Sequence, residues 1–375
     1  MQTVLTRQER GREIAEKPNQ IQRLGERLYK VASQSSERMY DVIKARMNKT
    51  IGWVCSCPDH TYRQVKCKHI WAVEISVKLR EAVAPRVIEP IDVHACIYCH
   101  SEQIVKDGLR HNKYGDIQIF NCKSCGRYFT LNLGFERMKH NPQGVTTAMQ
   151  LYFSGESLRN VSKSLRLIGV QVSHKTVFMW IKKYTALMEK YVEKITPQVG
   201  DTWRADELFL KVKGDMKYLY ALMDDETRFW IAKEVADTKH TADITPMFRD
   251  GKKLAGKVPH TLITDGAFNF DSAFRTAYRR ENEALMTRHV RDIRFDGTVH
   301  NNKMERMNGE IRDREKVVRG VKKSKSPLIE GYQIYHNFVR PHMALDGRTP
   351  SEAAGIEVHG GNKWVTLIQN ASKKK

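Results

Sequence analysis

Apolar positions along the chain follow two periods, and the change from one to the other marks the modules. Two β-like stretches, 28–33 and 39–44, precede a segment with Ile70, Val73 and Val77 at helical spacing. Around Gln118-Ile119-Phe120 the alternation of a strand returns and predicts a hairpin. Residues 146–153 read as a helix, Ser157 caps a second with Leu158, Val161, Leu165 and Leu167, and a turn containing Gly169 follows. Ser173 then caps a third helix over 174–194, with Val177, Trp180, Ile181, Tyr184 and Leu187 as its apolar stripe. From Trp203 the pattern predicts strands at 203–213, 218–223 and 229–235, a helix at 241–254 and a short buried strand at 261–264. A helix at 273–280, a strand at 284–287 and a long charged helix at 302–323 complete the series. Three strands, helix, strand, helix, strand, helix is the element order of an RNase-H-like sheet. The expected fold class is multidomain α/β, with that core preceded by smaller modules.

Composition narrows what those modules meet. The chain has 375 residues, enough for two to four domains, and its 41% hydrophobic content rules out a disordered tail protein. With 64 Lys+Arg against 43 Asp+Glu it carries +21, which predicts a polyanionic partner, nucleic acid first. No apolar run approaches ~20 residues and no amphipathic anchor stands out, so a soluble, intracellular protein without a membrane partner is expected. Only the window 201–250 is acidic. It suggests a cation site set in a polyanion-binding surface, or simply solvated carboxylates.

The seven cysteines fall between Cys55 and Cys125. An odd number without a signal segment argues against a disulfide framework. Cys96-x-x-Cys99 and Cys122-x-x-Cys125 flank the predicted hairpin, the layout of a zinc ribbon. The other three, Cys55, Cys57 and Cys67, need a fourth ligand, which His69 supplies; His60 is the competitor. The Cys55-Ser-Cys57 and Cys67-Lys-His69 pairs, with Pro58-Asp59 and Ile70 after them, resemble the SWIM zinc finger, and the resemblance favours His69. Two closed four-ligand zinc sites act as scaffolds and leave no open position for catalysis.

The long third helix carries Lys175, Lys182 and Lys183 off its apolar stripe, as a DNA-reading helix-turn-helix would; a three-helix linker or dimer bundle is the alternative. In the α/β part, two-metal phosphoryl transfer needs carboxylates from the first strand, the end of the fourth and a late helix. Asp206, Asp265 and Glu305 occupy those elements. On a helix wheel Arg312, Lys316, Arg319 and Lys323 fall within ~40° of Glu305, while Glu310, Asp313 and Glu315 point away. A stripe of one sign leading from a metal ligand suits tracking of a phosphate backbone.

Asp206-Glu207 with Lys211-Val-Lys-Gly214, Lys217-Tyr-Leu-Tyr220 and Asp224, then Thr264-Asp265-Gly266 and Asn301-Asn302-x-x-Glu305, resemble the DDE transposases of prokaryotic insertion sequences, nearest the insertion-sequence-six family. Tyr335-His-Asn-Phe-Val-Arg340-Pro-His342 is more similar to the retroviral-integrase-type insertion-sequence enzymes, and suggests that Arg340 and His342 brace the late helix or touch DNA. The resemblance implies 3′-end cleavage and strand transfer into target DNA, with Asp206, Asp265 and Glu305 holding two Mg²⁺ (or Mn²⁺) ions. The implied partners are double-stranded element ends and target DNA, gripped by a homodimer or higher oligomer in a prokaryotic nucleoid. The expected organisation is a SWIM-type module at 1–85, a zinc ribbon at 90–135, a helix-turn-helix at 145–195, the catalytic core at 200–355 and a basic tail at 356–375. A DNA-binding regulator without transfer activity and a two-metal nuclease are the rival expectations.

Overall fold

The N-terminal alternation builds an antiparallel meander of β1 (Ile21–Gly25), β2 (Leu28–Ala32), β3 (Met39–Met47) and β4 (Thr50–Cys55). The computed structural model describes the chain apart from residues 1–5, 18–19, 26–27, 48–49, 82–84, 92, 113–114, 131–132, 136–137, 266, 279–286, 292–300, 319–320, 322–325 and 374–375. Tyr29 and Val31 alternate inward on β2 and meet Val42, Ile70 and Val73, the last two from α3 (Lys68–Glu81), which follows α2 (Pro58–Arg63). The sequence pattern missed α1 (Arg7–Glu16), which lies on α3. It starts from a capping box between Thr6 and Glu9 and buries only Gly11 and Ile14, too few positions to make a stripe. Gly11 permits the contact, since a Cβ there would lie 2.5 Å from Trp71 Cβ.

After β5 (Arg86–Ile88), the expected hairpin is β6 (Ile104–Asn112) paired with β7 (Gly115–Cys122), and β8 (Tyr128–Phe129) adds a third strand. Its small core is Phe129 stacked on Phe120 beside Cys96 and Cys122, too little apolar area to hold the unit without a further crosslink.

The three helices that follow are α4 (Pro142–Ser154), α5 (Leu158–Leu167) and α6 (His174–Val192), with Asn141, Ser157 and Ser173 each accepting a backbone N–H as N-cap. The expected stripe of α6 faces inward, with Val177, Trp180, Ile181 and Tyr184 buried. On α5 the stripe stops at Leu165; Leu167, expected inside, is 88% exposed because the helix ends there and turns at Gly169.

The largest sheet contains β9 (Thr202–Val212), β10 (Asp215–Asp224), β11 (Trp230–Ala236), β12 (Thr261–Ile263) and β13 (Arg288–Val290) in the order β11-β10-β9-β12-β13. The first three are antiparallel, β12 runs parallel to β9, and β13 runs parallel to β12. With α7 (Thr241–Ala255) and α8 (Phe268–Ala277) between strands and α9 (Asn302–Val318) after them, this is the RNase-H-like topology. The fifth strand falls later than the expected 284–287, of which 284–286 lie outside the described residues.

Two expectations fail downstream. The charged helix does not run to 323: it ends at Val318, and Val321 is extended, donating its N–H to Lys211 O and accepting from Lys213 N beside Val212. Nor is 356–375 a tail. After α10 (Pro327–Ile334), a π-helical turn over Tyr335–Val339 and α11 (Pro350–Ala353), β14 (Ile356–Val358) pairs in parallel with β5. The last helix, α12 (Lys363–Ser372), lies against α6 and buries Trp364, Leu367 and Ile368, with Trp364 stacked on Phe153 of α4. Those residues share one core with α4–α6 and the five-stranded sheet, so the segment expected as a separate helix-turn-helix domain is continuous with the RNase-H-like fold. Gly331 on α10 lies where a Cβ would come 2.2 Å from Phe153 Cζ of α4.

Candidate active site

Strand register dictates how the first two carboxylates meet. Ile263 on β12 pairs with Arg204 on β9 in parallel, so two residues further Asp265 comes level with Asp206. Asp206 sits mid-strand opposite Ala221 of β10, a small neighbour that leaves room above it. Asp265 lies just beyond β12, where Thr264 donates its N–H to Val290 O and Thr264 Oγ1 meets His289 Nε2 at 2.8 Å. The other ring nitrogen of His289 is 3.1 Å from Asp271 on α8. Against the effect of burial, Arg291, His289 and Arg275 hold the Asp271 carboxyl down at about 2, so it stays ionised and fixes the ring that braces this strand end.

A carboxylate oxygen from each of Asp206, Glu207 and Asp265 lies within 4.8 Å of the others. Glu305, in the first turn of α9, is outside that trio, but its charge reaches Asp206. Burial first, then repulsion from Asp265, Glu207 and Glu305, pushes the Asp206 carboxyl up to about 7. The Glu207 N–H, donated to Asp206 Oδ1 at 2.9 Å, works the other way. Carboxylates so crowded repel one another until a cation joins them. The donors are all oxygens, the set that suits Mg²⁺ or Mn²⁺ rather than zinc.

The start of α9 is held from two sides. Lys303 reaches Asp225 Oδ1 at 2.6 Å and its backbone carbonyl at 2.8 Å, and Asp225 is ion-paired to the buried Arg204 on β9. One turn beyond Glu305, Asn308 donates to Asp206 Oδ2 at 2.9 Å. Further along, Glu310 is ion-paired to Arg340 and accepts from Tyr332 Oη at 3.0 Å. Arg340 therefore braces the helix, as the sequence allowed. His342 packs against His336 at 4.7 Å, and its partial burial pushes it down to about 3, which leaves a neutral, half-buried ring. Asp224, part of the family-like motif, closes a turn instead: it accepts from Gly200 N, Thr227 N and Thr227 Oγ1 at 2.9, 2.8 and 2.6 Å.

The single-sign stripe does not survive intact. Arg312 and Lys316 are exposed on α9, but Lys316 pairs with Asp313 at 3.0 Å, so the signs interleave there. Arg319 and Lys323 lie outside the described residues. On α6, Lys175, Lys182 and Lys183 are exposed while the opposite face packs on α10 and α12.

Cys55, Cys57, Cys67 and His69 converge, as do Cys96, Cys99, Cys122 and Cys125. His69 Nδ1 lies 3.8 and 3.9 Å from the Cys55 and Cys67 sulfurs; Cys96–Cys125 and Cys99–Cys122 are 3.7 and 3.5 Å apart. The edge of a tetrahedron with zinc–sulfur bonds of about 2.3 Å is ~3.8 Å, so both cages match the ion. His60 spends Nδ1 on Val65 O at 2.8 Å and stands apart. Sequence reasoning passed over Glu207, because alternation along a strand turns neighbours to opposite faces. It also passed over Asn308 and Lys239, whose partners are set by packing alone.

Residues 200–342 match the family model of a DDE domain, and residues 45–78 match that of the SWIM zinc finger. Over 137 residues the chain is 31% identical to the transposase for the insertion sequence-like element IS431mec of Staphylococcus aureus. It is equally similar to the transposase for insertion sequence element IS257 in transposon Tn4003 of the same organism. Each alignment covers 36% of this chain and 59% of the relative, so the chain spans about three-fifths of the length of the curated relatives it matches. Among solved structures, it is similar to the HTLV-2 integrase catalytic core domain in complex with magnesium, at 18% identity and a TM-score of 0.31 over 42% of this chain and 97% of that one. A simian T-cell lymphotropic virus intasome in complex with PP2A regulatory subunit B56 gamma matches at 13% identity and a TM-score of 0.34, over 56% and 74%. Among the described residues, no helix is long and apolar enough to cross a membrane.

Proposed function

We propose that this chain, which carries a DDE domain and a SWIM zinc finger, is an insertion-sequence transposase that cuts the 3′ ends of its element and joins them to target DNA. The observation that carries this reading is the meeting of Asp206 and Asp265 from separate strands, with Glu305 near enough for its charge to act on Asp206. A protein that only binds DNA has no use for carboxylates that repel a phosphate backbone.

In this reading Asp206, Asp265 and Glu305 hold the divalent ions. When bound, two such ions supply Lewis-acid polarisation of the scissile phosphate and lower the pKa of the attacking oxygen. The protein positions everything else. Lys303, Asp225 and Arg204 fix the start of α9, Asn308 orients Asp206, and Arg340 anchors the middle of the helix through Glu310. The first attack, by water, breaks the phosphodiester into a free 3′-hydroxyl on the element and a 5′-phosphate on the flank. That hydroxyl then attacks a target phosphodiester, forming a new bond to the target's 5′-phosphate and releasing the target's 3′-hydroxyl as leaving group. Lys175, Lys182 and Lys183 on α6 read or hold the element end, and Arg312 and Lys316 contact its backbone close to the carboxylates. Two zinc ions, one per Cys/His cage, hold the N-terminal modules. Joining two ends requires at least two copies of the chain, acting on the DNA of a prokaryotic nucleoid. Incubating the chain with oligonucleotide ends, a plasmid target and Mg²⁺ tests the reading: joined products support it, cleavage without joining points to a nuclease, and binding alone to a regulator.

A further inference from the structure

Glu207 is the carboxylate the three-residue reading leaves without work. Its side chain is only 9% exposed, it belongs to the 4.8 Å group with Asp206 and Asp265, and its two oxygens differ. Oε1 pairs with Lys239 Nζ, whereas Oε2 is buried with no hydrogen-bond partner. An unpaired, buried carboxylate oxygen is costly unless something cationic completes it. The Lys239 ammonium has a second home. It is 41% exposed and rests 5.3 Å from the Phe209 ring centre and 5.0 Å from that of Tyr218, faces that hold a cation without a carboxylate.

We propose that Glu207 is a fourth carboxylate ligand of the divalent-metal centre, and that Lys239 is the counter-ion which the metal displaces from it. The inference rests on the metal-site reading of Asp206 and Asp265 and deepens it. Charge balance favours it: four carboxylates match the four positive charges of two divalent ions. The released ammonium, still lodged over Phe209 and Tyr218, is then free to meet a DNA phosphate at the rim of the site.

Mn²⁺ titration of the full chain without DNA, read by the loss of the free-ion EPR signal, tests this without reference to activity. Glu207→Gln keeps size and hydrogen bonding and is expected to weaken Mn²⁺ binding about tenfold or more, the range typical of a weakened metal-ligand set. Lys239→Met removes a competing cation and is expected to tighten binding about threefold to tenfold, a direction that misfolding does not produce. Asp206→Asn serves as the reference and is expected to lose the site. If Asp206→Asn abolishes binding while Glu207→Gln binds as the unaltered chain does, the role of Glu207 is refuted and the metal reading of Asp206 stands. If Asp206→Asn also leaves binding unchanged, the metal centre lies elsewhere and both readings fall.

Discussion

Removing the Asp206 charge should stabilise the metal-free protein, and the size of the effect follows from its surroundings. The carboxyl is raised from 3.8 to about 7 by burial and by three neighbouring carboxylates. That difference amounts to roughly 4 kcal/mol against the charged form, and residual access to water reduces it to about 2–4. Asp206→Asn keeps the shape, and the hydrogen-bond geometry can adapt: Asn308 now donates to Asp206 Oδ2, and its own Oδ1 is buried without a partner. Turning the Asn308 amide over presents that oxygen to the new NH₂. The sign is fixed by linkage. A carboxyl whose folded pKa is raised costs nothing below its unfolded value near 4, costs progressively more up to about 7, and costs its full amount above that. Thermal unfolding in EDTA-free buffer stripped of divalent ions should therefore show no difference between the two proteins near pH 4. At pH 8 the variant should melt about 3–5 °C higher. Mn²⁺ should then raise the melting temperature of the unaltered chain and leave the variant where it was. A variant less stable at pH 8, or a difference independent of pH, would mean that the carboxylates do not strain one another and that the site has no need of a cation.

Metal analysis of the purified chain should find two zinc ions, falling to one in Cys55→Ser and one in Cys96→Ser; a single zinc in the unaltered protein would refute one of the two cages. Gly331→Ala should destabilise by about 1–3 kcal/mol in urea, since the added methyl meets Phe153 Cζ at 2.2 Å and that ring is packed against both Tyr335 and Trp364. Stability equal to the parent would show that α4 and α10 are not packed as described. Arg312→Glu with Lys316→Glu should flatten the salt dependence of DNA binding by roughly 0.9 in slope for each phosphate that is no longer neutralised, and an unchanged slope would exclude both from the interface.

The legible parts of the sequence were those where local pattern and tertiary position agree. β9 and β12 alternate or run apolar because both are central strands, and Asp206 stood out as a charge inside the first while Asp265 stood out as the charge that closes the second. The cysteine pairs announced their cages because a tetrahedral ion constrains spacing directly. The failures have physical causes. In α12 the Lys-rich end masked Trp364, Leu367 and Ile368, three buried residues at helical spacing on a helix that packs against α4 and α6. The wheel projected from Glu305 assumed an unbroken helix, whereas Val321 pairs with β9, a non-local pairing invisible to periodicity. Alternation along a strand gives no reason to group Glu207 with Asp206, yet one of its carboxylate oxygens lies within 4.8 Å of those of Asp206 and Asp265.

The central claim is that Asp206, Asp265 and Glu305 together carry phosphoryl transfer on DNA. The direct measurement compares strand transfer by the unaltered chain, Asp206→Ala and Glu305→Gln on one set of labelled element ends in Mg²⁺, with end binding followed in parallel by gel shift. Joined products from the unaltered chain alone, with end binding retained by all three proteins, are the expected result. Full transfer by either variant would contradict the account.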